Sequence, residues 1–158
     1  MGYNTDFNGG LTASIPLTTD QKEYINTFSR IRHMKRDVSV LQTLYKGKYG
    51  LDGKYGKEGE FFCKDEEDQK SIIDHNIPPS TQPGLWCQWY MRESDYLEWD
   101  GGEKFYDYIE WLKYLMDNFF TPWGVLFNGQ IEWRGESWED TGTIIVKNNK
   151  IEVNDRVR

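Results

Sequence analysis

An α+β fold, an antiparallel β-sheet with two amphipathic helices packed on one face, follows from three features of this 158-residue chain. Short β-prone runs alternate with Asn-Gly and Gly-Gly turn signals. Two stretches repeat apolar residues at helical spacing. Seven Trp, ten Tyr and eight Phe supply large side chains for one aromatic core. A chain of this length reads as a single domain, residues 1–158, that folds without disulfide or metal staples.

Residues 3–7 and 11–15 flank Asn8-Gly9-Gly10 and read as a hairpin. The first helix opens at Pro16-Leu17-Thr18, where Thr18 with Gln21, or Asp20 with Glu23, fits a capping box. Tyr24, Phe28 and Ile31 carry its apolar stripe to an end near Asp37. Residues 45–60 hold a glycine at every third position. They read as a flexible Gly/Lys-rich loop or an exposed hairpin turning at Asp52-Gly53. Residues 60–63 are a candidate strand, and residues 64–68 a solvated acidic turn.

Residues 85–90 alternate large side chains on both faces and read as a strand covered on both sides, with residues 96–99 returning beside it. Asp100-Gly-Gly-Glu103 caps the second helix. Its stripe is Phe105, Tyr108, Ile109, Leu112, Leu115, Met116 and Phe119, and Pro122 ends it. Strands follow at 125–127, 131–134, 143–147 and 151–157, with turns at Asn128-Gly129 and Asn148-Asn149. Each helix follows a strand pair, so a duplicated ββα unit is a further reading.

The net charge of −7 argues against direct non-specific nucleic-acid binding, which needs cations to displace phosphate counterions. It favours a protein partner with a basic surface. The start carries no basic or apolar leader, and the two cysteines, Cys63 and Cys87, read as free thiols in a cytoplasm. No apolar run approaches the ~18 residues of a membrane span, so no membrane partner is expected. Exposed edge strands would permit a homodimer.

Two charge runs mark candidate sites. Residues 22–36 hold five basic residues and one acidic, ending in Arg30-Ile31-Arg32-His33-Met34-Lys35-Arg36. Such a run complements a helix C-terminus. The alternative reading is an anion site, in which Arg30, Arg32, His33 and Arg36 would grip phosphates and Trp86, Gln88 and Trp99 would receive a planar, nucleotide-like group. Residues 93–140 hold twelve acidic residues and three basic, interleaved with tryptophans. Either this is a solvated face, or Glu132, Trp133, Glu136, Trp138, Glu139 and Asp140 dock a basic partner.

Catalytic residues are not assigned. The chain has no His-Glu-x-x-His run and no Gly-x-Ser-x-Gly turn. Cys63, Cys87, His33 and His75 match no standard zinc spacing, so neither a metal nor a cofactor is expected.

The segments Met1-Gly-Tyr-Asn-Thr-Asp-Phe-Asn-Gly9, Gln82-Pro-Gly-Leu-Trp-Cys-Gln-Trp89 and Trp99-Asp-Gly-Gly-Glu-Lys-Phe-Tyr106 resemble those of a family of small bacterial and phage proteins. The resemblance spans most of the chain and brings no activity with it. It implies the cytoplasm of a bacterial cell or a phage-infected host. Three functional expectations result. The first is a non-catalytic acidic binding protein, in concrete form a phage-encoded antagonist of a host defence macromolecule. The second is a protein that binds or sequesters a nucleotide-like ligand. The third is a carboxylate-dependent hydrolase.

Overall fold

The structure, a computed structural model, describes residues 2–65 and 68–155. It is α+β, as the sequence predicts. The chain divides into two compact units, Met1–Asn26 with Gln88–Arg158, and Thr27–Cys87.

The first unit is built on a six-stranded antiparallel sheet. Its strands are β1 (Thr5–Ala13), β4 (Trp89–Met91), β5 (Tyr96–Trp99), β6 (Phe127–Gly135), β7 (Thr141–Lys147) and β8 (Lys150–Asp155), in the order β4-β5-β1-β6-β7-β8. The second unit holds the two-stranded pair β2 (Lys35–Arg36) and β3 (Ile72–Asp74) and the helix α2 (Val38–Tyr45). Helix α1 (Thr19–Arg30) runs from the first unit into the second, and α3 (Tyr108–Leu115) belongs to the first. A π-helical turn, Met116–Phe120, prolongs α3 before Pro122.

The hairpin expected at Asn8-Gly9-Gly10 is not formed. β1 runs straight through it and pairs with β6 from Thr5↔Gly135 to Ala13↔Phe127. The turn expected at Asn128-Gly129 is likewise swallowed by β6. The two irregular spots lie almost opposite each other. Gly9 has φ +100° and a Cβ there would stand 2.5 Å from the Gln130 carbonyl; Gly129 has φ +148° and a Cβ there would stand 2.5 Å from the Gly10 carbonyl. These glycines serve close strand approach, not a reversal of the chain. The duplicated ββα unit therefore lacks its first strand pair. The predicted turn at Asn148-Asn149 does form, with both residues at positive φ, joining β7 to β8.

Alternation along the strands sorts the sheet into two faces. Leu11, Phe127, Ile131, Trp133, Ile144 and Val146 point inward and are buried. Phe7 sits at the centre of an aromatic cluster, 4.9–5.7 Å from the rings of Trp89, Trp99, Phe105 and Tyr108 in edge-to-face arrangements. α3 packs here: the Trp89 indole donates to the Tyr108 carbonyl at 2.9 Å. The Asp100–Glu103 segment does not cap this helix. Asp100 instead accepts from the Gly102 amide in its own turn, and α3 starts later, after Asp107.

α1 starts with the predicted capping box: the Gln21 amide donates to Thr18 Oγ1 and the Thr18 amide to Gln21 Oε1. It stops at Arg30, short of Asp37. Beyond it the amides of His33, Lys35 and Asp37 donate to the carbonyls of Leu85, Ile77 and Ser71, which draws residues 33–37 into extended pairing. Asp37 then caps α2, a helix the sequence reading misses, by accepting from the Ser39 and Val40 amides.

Leu41 of α2, Tyr55 and Phe62 form the second unit's own small core, joined by Val38 and Tyr45. The segment read as a Gly/Lys loop does turn at Asp52-Gly53, through the Leu51↔Lys54 bridge, and buried Tyr55 pins it. The strand expected at 60–63 is a run of tight turns following a 3₁₀ turn at Lys57–Gly59. The strand expected from residue 85 starts only at Trp89, and the Leu85 carbonyl instead accepts from the His33 amide.

Candidate anion-binding site

The basic run becomes a site because it leaves the helix. Arg32, Met34 and Arg36 alternate along the extended segment after α1 and reach the same side, where Arg30, Phe62, Lys64, Asp65, His75 and Trp86 complete a cavity of about 380 Å³. This is within the usual size of small-ligand pockets, ~300–1,000 Å³. Four cations and one carboxylate line it, in a chain whose net charge is −7. Trp86 presents an indole that is 43% exposed, with the Arg32 guanidinium 5.9 Å from its ring centroid.

The cations are held differently. Arg36 is buried: its Nη1 donates to the Asp68 carbonyl and Ser71 Oγ, and its plane lies 4.9 Å over the Phe62 ring. Arg30 pairs with Asp65 in a two-point contact at 3.2 Å, at the exposed rim. Arg32 is anchored by neutral acceptors only, the His75 carbonyl at 2.9 Å and Asn76 Oδ1 at 3.2 Å. No carboxylate among the described residues pairs with it, so its charge is the one most available to a ligand.

Of the expected ligand residues, Arg30, Arg32, Arg36 and Trp86 are brought together. His33, Gln88 and Trp99 are not. Trp99 and Gln88 belong to the first unit and bond to each other, Nε1 to Oε1, at 3.2 Å. His33 is buried against the Phe28 ring and donates from Nε2 to the Phe28 carbonyl at 2.8 Å. Burial pushes its pKa down from 6.5 to about 4, the hydrogen bond opposing and the Arg36 charge assisting. Between those values the unfolded chain binds a proton that the folded chain refuses, so stability falls as pH drops through this window. The loss should reach about 2 kcal/mol by about pH 5. Urea midpoints measured from neutral pH downward would show it, and an imidazole signal for His33 that titrates near 6.5 would contradict it.

Sequence reasoning missed Lys64, Asp65, His75 and Phe62. They lie far along the chain from Arg32, and only the β2–β3 pairing and the turns around residue 62 bring them close.

The expected acidic docking surface is partly structural. Trp133 is buried on the inner face of β6, opposite Gly142, and its Nε1 donates to Asp140. Asp140 also accepts from the Tyr3 hydroxyl, and Glu136 accepts from the Asn4 amide. Glu132, Glu139 and Trp138 remain exposed, Trp138 at 69%. Cys63 and Cys87 are buried thiols. Asp68, expected in a solvated turn, is buried, and Glu66 and Glu67 of that turn lie outside the described residues.

Among the described residues, no group of three or more His, Cys, Asp or Glu is placed to hold a metal ion, and no helix is long and apolar enough to cross a membrane. No protein-family model, curated protein or solved structure matches this chain.

Proposed function

We propose that the protein binds a small anionic ligand carrying a planar group, of the nucleotide class, in the Arg32–Trp86 pocket. The observation that carries this reading is the adjacency, in one cavity, of an exposed indole and a guanidinium that no carboxylate among the described residues pairs with. The indole supplies a stacking face for a base, and the cations supply charge-assisted hydrogen bonds to phosphate oxygens.

The test is thermal melting and Trp emission with AMP, ADP and inorganic pyrophosphate. Trp86 is the one tryptophan between residues 27 and 87, so a Trp86→Phe variant isolates its signal. A bound ligand at a hundredfold excess over its dissociation constant should add about 2.7 kcal/mol of stability and quench Trp86. No stabilisation and no quenching across these probes would refute the reading.

A second reading, docking on a protein with a basic surface, is supported by Trp138. It stands on a β6–β7 loop fixed by backbone bonds from Gly135 to Asp140 and from Asp140 to Ser137, with exposed Glu136 and Glu139 beside it. Native mass spectrometry separates the two. A small adduct released on denaturation favours the pocket; a bound protein lost on Trp138→Ala favours docking.

A further inference from the structure

We propose a second binding site, for a saccharide, on the outer face of the six-stranded sheet. Asp6 and Asn8 of β1, Glu132 and Arg134 of β6 and Thr141 of β7 line a depression of about 320 Å³ there. Register sets them in a grid, Asp6 across from Arg134 and Asn8 across from Glu132. Asp6, Asn8, Glu132 and Arg134 are exposed, and none makes a side-chain hydrogen bond or ion pair among the described residues. Thr141 Oγ1 is sealed from solvent and unpaired as well. Neighbouring carboxylates, an amide and a guanidinium thus stand on rigid strands without internal work.

Their chemistry selects the ligand. A simple anion would meet Asp6 and Glu132, and a simple cation would meet Arg134. A hydroxyl both donates and accepts, so a polyhydroxylated ring can satisfy all of these groups at once. Planar carboxylate and guanidinium groups suit adjacent hydroxyl pairs through two-point contacts. The second part of a saccharide site is an aromatic surface for the apolar C–H face of the ring. Tyr96 of β5 supplies it: its ring lies over Gly10, two residues along β1 from Asn8, so closely that a Cβ at Gly10 would stand 2.5 Å from Tyr96 Cε2 and Cζ. The missing side chain at Gly10 lets that ring lie against the strand beside the polar grid.

The test is a backbone amide NMR titration of the full chain with maltotriose, chitotriose, mannotriose and galactose, at concentrations well above the ~1 mM dissociation constants of weak sites. The expected result is saturable shifts, with at least one sugar, confined to residues 6–10, 96 and 130–134. Because these side chains make no side-chain hydrogen bond or ion pair among the described residues, Glu132→Gln and Asn8→Ala should keep the wild-type melting temperature while weakening the response about tenfold each. No saturable shift with any of the four sugars would overturn the proposal. So would shifts elsewhere on the chain, or binding unchanged in both variants.

Discussion

Replacing Arg32 with Ala should weaken binding of ADP or pyrophosphate by about ten- to a hundredfold while moving the melting temperature by only a few degrees. The asymmetry comes from how Arg32 is held. Its two anchors, the His75 carbonyl and the Asn76 side chain, are neutral groups at a solvated rim, so losing them costs the fold little. A ligand phosphate, by contrast, would lose a charge-assisted contact worth roughly 1.5–3 kcal/mol. Arg32→Lys should recover only part of the affinity, because an ammonium keeps the charge and loses the fork. Asp65→Asn should act in the opposite sense. Asp65 now occupies Arg30 with both carboxylate oxygens, and removing its charge frees that guanidinium for the ligand. Isothermal titration of the three variants decides the matter; equal affinities in wild type and Arg32→Ala would remove the pocket as the binding site.

Much of this pocket was legible as composition and little of it as geometry. The run from Arg30 to Arg36 announces an anion site because cations cluster there in an acidic chain. Placing the run on a helix would have scattered its side chains around a cylinder. In extended chain, every second residue faces the same way, so Arg32, Met34 and Arg36 reach one cavity while His33 turns into the interior. What ends the helix is backbone pairing with Leu85, Ile77 and Ser71, partners about 35 to 50 residues downstream that no local pattern reveals.

The same limit explains the glycine errors. Asn-Gly is a turn signal because glycine tolerates positive φ, and Gly9 and Gly129 do adopt positive φ. The use differs: two long paired strands approach each other closely there. Where no partner strand competes, as at Asn148-Asn149, the signal reads correctly. Trp133 and Trp138 make a similar contrast. They share a composition cue, yet strand alternation buries the first and leaves the second at a loop tip.

Asp68→Ala should cost about 3–5 kcal/mol, enough to cripple a fold whose whole stability is typically ~5–15 kcal/mol. The carboxylate accepts from the Ser71 amide and hydroxyl and from the Tyr45 hydroxyl, and stands 3.6 Å from Arg36 Nη1. Burial alone would raise its pKa, but these donors and the Arg36 charge hold it below the ordinary carboxylate value. Its contribution is therefore present above the pKa of an unfolded aspartate and is lost as pH falls below it, a window more acidic than that of His33. Without the carboxylate, a guanidinium only 7% exposed loses the negative partner that Asp68 supplies. Removing both charges should be milder than removing one, so Asp68→Ala with Arg36→Met should recover part of the loss. Urea unfolding followed by Trp86 emission reads this directly in residues 27–87. A single-variant loss under about 1 kcal/mol would mean that Arg36 is held by Ser71, the Asp68 carbonyl and Phe62 rather than by charge. Arg36 would then join Arg32 among the cations a ligand can recruit.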